Sequence, residues 1–205
     1  MHLPAVLSRV TALLAAGGLA LTAPLARGDD VTAPAVPPDL RVNPGATPFL
    51  EGHAVGTQNY VCEPSATGFA WSLFTPEATL FTDEDSQLIT HFFSPNPEER
   101  GTVRAAWQHS RDSSTVWARL SDPAHSSTDP NFVAKGAVPW LLLDASGVRP
   151  GPTGGSKLTR TTFVQRVNTA GGVAPATGCD APSDVGARAF VPYTADYYFF
   201  TGGLP

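Results

Sequence analysis

Three side chains of the right type for acid–base work are spread through the middle of this chain: Glu77, His91 and Asp112. Glu77 stands in a Pro-Glu-Ala step between aromatic segments, which reads as a turn, and Asp112 stands in a Ser-Arg-Asp-Ser run. Two carboxyl groups across a cleft could hydrolyse a glycosidic bond if about 5–9.5 Å separated them, with His91 nearby. The competing reading is architectural. Asp and Ser in a tight turn bond the local backbone. Glu77, if buried, would need a charged partner, and the Gln165-Arg166 step offers one. There is no Gly-x-Ser-x-Gly elbow. Ser110, Ser113 and Ser114 lie near His109 and Asp112, but adjacency in sequence is not adjacency of roles, since nucleophile–base sets assemble from distant segments. His53, His91, His109 and His125 form no His-x-His or Glu-x-x-His pair. No metal site is therefore expected, although strands could gather His91, His109 and Glu77. No strand–Gly-x-Gly-x-x-Gly–helix unit occurs, and no cofactor is expected.

The aromatic residues suggest a second chemistry. Most of Trp71, Trp107, Trp117, Trp140, Tyr60, Tyr193, Tyr197 and Tyr198 should fill a core. Trp107 and Trp117 have polar neighbours on a hairpin and are the candidates for an exposed stacking platform. This favours a non-catalytic extracellular module that binds a carbohydrate or another small ligand. The alternatives are a hydrolase using Glu77 and Asp112, and a purely structural or surface-interaction protein.

The elements that would position these groups are strands. Short β-branched and aromatic segments alternate with Gly, Pro, Asp and Ser clusters. The pattern predicts strands over 56–62, 68–75, 78–82, 88–93, 102–109, 114–120, 138–144, 160–167 and 194–200. Over residues 191–200 the apolar set falls on Val191, Tyr193, Ala195, Tyr197 and Phe199, which places Asp196 on the opposite face. The expected fold is all-β, a single antiparallel sandwich or barrel of about eight to nine strands. A two-residue hairpin loop would set Trp107 and Trp117 on opposite faces, and a three-residue loop would pair them. Gly and Pro crowd residues 147–155, which reads as a flexible loop, and 121–137 reads as a second, polar loop.

Residues 1–28 have the order of a secretory signal: Arg9, an uncharged run from Val10 to Ala23, then small residues. Residues 29–48, with Pro34, Pro37, Pro38, Pro44 and Pro48, read as a flexible polyproline-like tail, and the all-β domain takes 49–205. Nothing later in the chain is long and apolar enough for a membrane-spanning helix. Export exposes thiols to oxidation, and the two cysteines, Cys62 and Cys179, allow one bridge. Losing Arg9 and Arg27 with the leader would shift the net charge from −5 to about −7. An acidic chain with no basic cluster is a poor nucleic-acid or anionic-membrane binder.

Several blocks recur in order: Gly56-Thr-Gln-Asn-Tyr-Val-Cys62, Thr75-Pro-Glu-Ala78, His91-Phe92, Val138-Pro-Trp-Leu-Leu142, Gln165-Arg-Val-Asn-Thr169, Gly171-Gly-Val-Ala-Pro175, Gly178-Cys179 and Val191-Pro-Tyr-Thr-Ala195. In these the chain resembles a family of secreted bacterial and fungal proteins known only as a domain of unknown function. The resemblance spans roughly residues 50–200. It implies one secreted domain, supports pairing Cys62 with Cys179, and implies no activity. Many members carry a Gly-Pro-Thr-Trp block before the hairpin, where this chain has Ser94-Pro-Asn-Pro-Glu-Glu-Arg-Gly101.

Overall fold

Nine strands run through the described part of the chain, residues 31–204 of a computed structural model. The leader expected over 1–28 lies outside the described residues. The strands are β1 (Thr47–Ser65), β2 (Gly68–Phe81), β3 (Gln87–Asn96), β4 (Thr102–His109), β5 (Thr115–Arg119), β6 (Ser126–Ser127), β7 (Trp140–Arg149), β8 (Phe163–Gly171) and β9 (Arg188–Thr201). All pairings are antiparallel. The order is β5-β4-β3-β2-β1-β9-β8-β7, and β5 pairs back onto β7. Eight strands thus close into a barrel, and β6 is a short addition on β7. Of the two expected all-β architectures, the barrel is the one formed. Closure gives each barrel strand a neighbour on either side, although residues 68–76 of β2 extend past β3 and pair with β1 alone.

Alternation decides which side chains enter the barrel. On β9, Tyr193, Ala195, Tyr197 and Phe199 point inward and join Leu80, Ile89, Trp107, Val116, Leu143 and Val164 in the inner core. The opposite parity of β7–β9 also carries large apolar groups: Trp140, Leu142, Phe163, Tyr198 and Phe200. Uncovered, that outer face would be a sizeable apolar patch. The Pro-rich segment covers it. Leu40 is fully buried, and Val31, Ala33, Val36, Val42 and Ala46 pack on the same cluster. Gln165 Nε2 donates to the Leu40 carbonyl at 2.7 Å. The stretch expected as a flexible tail is, from Val31, a strap against the barrel. Its prolines keep it extended, and contact with the outer face holds it there.

Other elements also differ from the sequence expectation. β2 runs unbroken through Pro76-Glu77. Its pairing with β3 begins only at Glu77, because Pro76 has no N–H to give, and the Phe93 N–H donates to Thr75 Oγ1 at 3.1 Å instead. β7 continues to Arg149 by pairing with β5, through a register shift beside Ser146. The β4–β5 loop is Ser110–Ser113, closed by His109 N to Ser114 O at 2.9 Å. Trp107 lies opposite Val116 and Trp117 opposite Ala106. The two tryptophans therefore face opposite sides of the sheet.

Gly56 lies where β1 presses onto β2. A Cβ there would fall 2.0 Å from the Glu77 carbonyl oxygen and 2.5 Å from Ala78 Cα. Beyond that point Cys62 bonds to Cys179, with Cα atoms 5.5 Å apart and a sequence separation of 117. The bridge fastens the end of β1 to the loop between β8 and β9.

Candidate functional site: a cavity in the barrel

The inward positions do not fill the barrel. A cavity of about 470 Å³ remains at one end, within the range of small-molecule sites. Eight-stranded barrels are wide enough to hold one small ligand. Leu141 and Leu143 from β7, Phe93 from β3 and Val138 before β7 supply apolar wall. Leu73, Val103 and Leu120 line the same space and are 39 %, 56 % and 44 % exposed, so the rim of the mouth is apolar. The opposite end of the barrel is closed by fully buried Leu158.

A small set of polar groups faces this space. His91 on β3 is paired in register with Trp107 on β4, and the two rings stack at 4.3 Å with 7° between planes. Tyr197 closes on both, at 5.2 Å and 5.6 Å. His91 Nδ1 donates to the Ala106 carbonyl at 2.9 Å, which leaves Nε2 as the lone-pair acceptor. Burial drives the His91 pKa down to about 3; the Ala106 carbonyl opposes the fall and the charge on Arg166 adds to it. The ring is a neutral imidazole at any ordinary pH.

Arg166 reaches the cavity from β8, in register with Leu141 and Tyr197. Its Nε and Nη2 both donate to the Pro139 carbonyl, at 3.2 and 2.8 Å. Among the described residues no carboxylate lies within ion-pair distance of it. Arg104 and Arg119 border the cavity too, but they occupy outward positions of β4 and β5 and share Glu99. Hydrogen bonding from Arg104 holds the Glu99 carboxyl at about 2, against the opposing effect of burial. Among the described residues no Asp or Glu lines the cavity.

Two buried donors at the cavity lack acceptors. Trp107 is fully buried with Nε1 unpartnered. Gln58 is 2 % exposed, and its Nε2 closes no hydrogen bond of good geometry although the side chain acts on the Tyr193 hydroxyl. Tyr60 donates to the Gly172 carbonyl at 2.6 Å. Burial raises the pKa of both Tyr60 and Tyr193, so both phenols stay protonated. The lining is thus apolar, neutral in its titratable groups apart from the arginines, and rich in donors.

The residues singled out by sequence do not gather into one site. Glu77 is exposed on the outer parity of β2, next to inward Ala78, which pairs with His91. It does not meet Arg166. Asp112 sits in the β4–β5 turn and works there as a staple. Its Oδ1 accepts from Ser114 N at 2.9 Å and Ser114 Oγ at 2.7 Å, and its Oδ2 accepts from Lys157 N at 2.9 Å. Ser114 Oγ accepts in turn from Leu158 N at 3.0 Å, which seats the residue that closes the barrel. Burial raises the Asp112 carboxyl, but the bonds from Ser114 and Lys157 outweigh it and hold the group at about 2. Neither tryptophan is an exposed platform: Trp107 is fully buried and lines the cavity, and Trp117 is 7 % exposed on the other face.

Sequence reading assigned Arg166 only as a partner for Glu77 and passed over Gln58. The signal was present, since Val164 and Arg166 share a parity in an apolar strand, which sends a charge into the barrel. Among the described residues one group could offer three metal-ligand atoms together, Glu51, His53 and Asp196. Its atoms are already engaged: His53 bonds Asp196 at 2.7 Å and Asp83 at 2.8 Å, Asn168 donates to Asp196 at 2.7 Å, and the Tyr198 hydroxyl donates to Glu51. No helix among the described residues is long and apolar enough to cross a membrane.

No curated protein and no solved structure matches the chain. A family model described as "Protein of unknown function (DUF3455)" matches residues 43–201, from the end of the strap through the last barrel strand, and the chain belongs to that family.

Proposed function

We propose that this protein is a secreted, non-catalytic binding module that holds a small, largely apolar organic ligand inside its barrel. The observation that carries the reading is the 470 Å³ cavity with its apolar rim and inward polar groups. Export is supported by the signal-like order of residues 1–28 and by the Cys62–Cys179 bridge, which suits an oxidising compartment. A binding role is favoured over hydrolysis because Glu77, His91 and Asp112 lie apart, and a small ligand is favoured over a polysaccharide because Trp107 and Trp117 offer no open face.

The test is titration with the neutral fluorophore N-phenyl-1-naphthylamine. The expected result is saturable binding near one equivalent with a blue-shifted emission. In Ala105→Trp and Ala118→Phe, which place bulk in the cavity, affinity should fall at least tenfold while far-ultraviolet circular dichroism stays native. Absence of saturable binding to the wild type would remove the reading.

A further inference from the structure

We propose that the ligand is an amphiphilic monocarboxylic acid, its carboxylate seated on Arg166 and its apolar body along Leu141, Leu143 and Phe93. This rests on the cavity being the ligand site and adds the chemical class.

The argument starts from an uncompensated charge. Arg166 is half-buried and cationic, and among the described residues its side chain hydrogen-bonds only a carbonyl oxygen. A guanidinium set in an apolar wall without a counter-ion is costly unless an anion joins it. The nearby titratable groups make matters no easier for any ligand but an anion. His91 is neutral, Tyr60 and Tyr193 are protonated phenols, and among the described residues no carboxylate lines the space. A cationic ligand would meet a like charge and find no partner.

The fork of Arg166 narrows the choice further. The Nε–Nη2 edge is spent on the Pro139 carbonyl. The remaining edge, Nη1 with the second Nη2 proton, presents two parallel donors, the geometry that a planar carboxylate accepts in bidentate fashion. Trp107 Nε1 is an unpartnered donor at the same cavity and Gln58 Nε2 closes no hydrogen bond of good geometry, so a ligand rich in acceptors satisfies what the protein leaves open. The apolar rim of Leu73, Val103 and Leu120 suits the passage of a hydrocarbon or aromatic body.

The experiment is displacement of N-phenyl-1-naphthylamine from the full mature protein by decanoate, decanol and decylammonium at pH 7.5. The expected order is decanoate, then decanol, then decylammonium, with decanoate at least tenfold tighter than decanol. In Arg166→Gln the ratio of decanoate to decanol affinity should fall to near one. The wild-type ranking decides the matter even if that variant does not fold. Equal affinities, a preference for the amine, or displacement by none of the three while the fluorophore binds would overturn the carboxylate assignment and leave the cavity reading standing. Failure of the fluorophore itself to bind would remove both.

Discussion

His91 shows most plainly how one residue reads differently in a sequence and in a fold. As a lone histidine between strands it could be a base, a ligand or a filler. In the barrel it is stacked on Trp107, bonded through Nδ1 to a carbonyl, and held neutral. Its pKa of about 3 lies below the unfolded value of 6.5, so the unfolded chain binds the extra proton between those limits. The stability that neutral His91 contributes is complete above about pH 6.5 and is lost as pH falls toward 3. The unfolding free energy should decline by on the order of 1 kcal/mol per pH unit between pH 6 and pH 4 from this group. His109, lowered chiefly by burial, acts with the same sign. His53, raised chiefly by its bond to Asp196, acts oppositely: its contribution is present below pH 6.5 and is lost as pH rises through its folded pKa. Denaturant titrations across this range should show a shallower slope in His91→Gln. Nuclear magnetic resonance of the wild type should show no imidazole titration of His91 above pH 4, and a titration near 6 would refute the assignment.

At the scale of elements, the cavity depends on how closely strands approach and on what closes the far end. Gly56 lets β1 lie against β2 at a place where any side chain would strike backbone, the Glu77 carbonyl at 2.0 Å. Backbone cannot swing aside as a flexible side chain can. Gly56→Ala should therefore cost about 1–3 kcal/mol or more, read as a lower denaturation midpoint with an unchanged slope. The β4–β5 turn shows the same dependence on neighbours. Asp112 and Ser114 tie the hairpin to Lys157 and Leu158, and Gly151 and Gly155 come so close to Asp112 that a Cβ would meet its carbonyl oxygen at 1.8 and 2.2 Å. What reads as a catalytic acid beside a flexible loop is the seam that shuts the barrel.

Across the whole molecule, two long-range ties hold the barrel and its covering together. The strap from Val31 to Ala46 hides the outer apolar face of β7–β9, and the Cys62–Cys179 bridge spans 117 residues. In the chain-entropy model a loop of that length is worth roughly 4–5 kcal/mol. Reduction should add two hydrogens to the intact mass and lower the unfolding free energy by an amount of that order. A reduced protein with unchanged stability would show that barrel closure alone fixes the ends.

Much of this organisation was legible in the residues. β-branched and aromatic segments between Gly, Pro, Asp and Ser clusters marked most strands, and period-two alternation in the last one sorted Tyr193, Ala195, Tyr197 and Phe199 from Asp196, because side-chain direction in a strand is a local property. Two cysteines permitted one internal pairing, and it formed. The sequence could not choose between sandwich and barrel, since that turns on whether β5 meets β7, a contact between segments distant in the chain. It could not show that the proline-rich stretch is a strap, because nothing periodic in those residues announces the Trp140–Phe200 face that holds them. Nor could it assemble a site. Glu77, His91 and Asp112 share a plausible chemistry in one dimension, yet strand parity sends the first outward and the hairpin turn takes the last to the closed end. Arg166, Gln58, His91 and Trp107 converge only once the sheet curls on itself. Local preference is written in the order of residues, whereas which inward side chains share a cavity depends on register and closure, and these exist only in three dimensions.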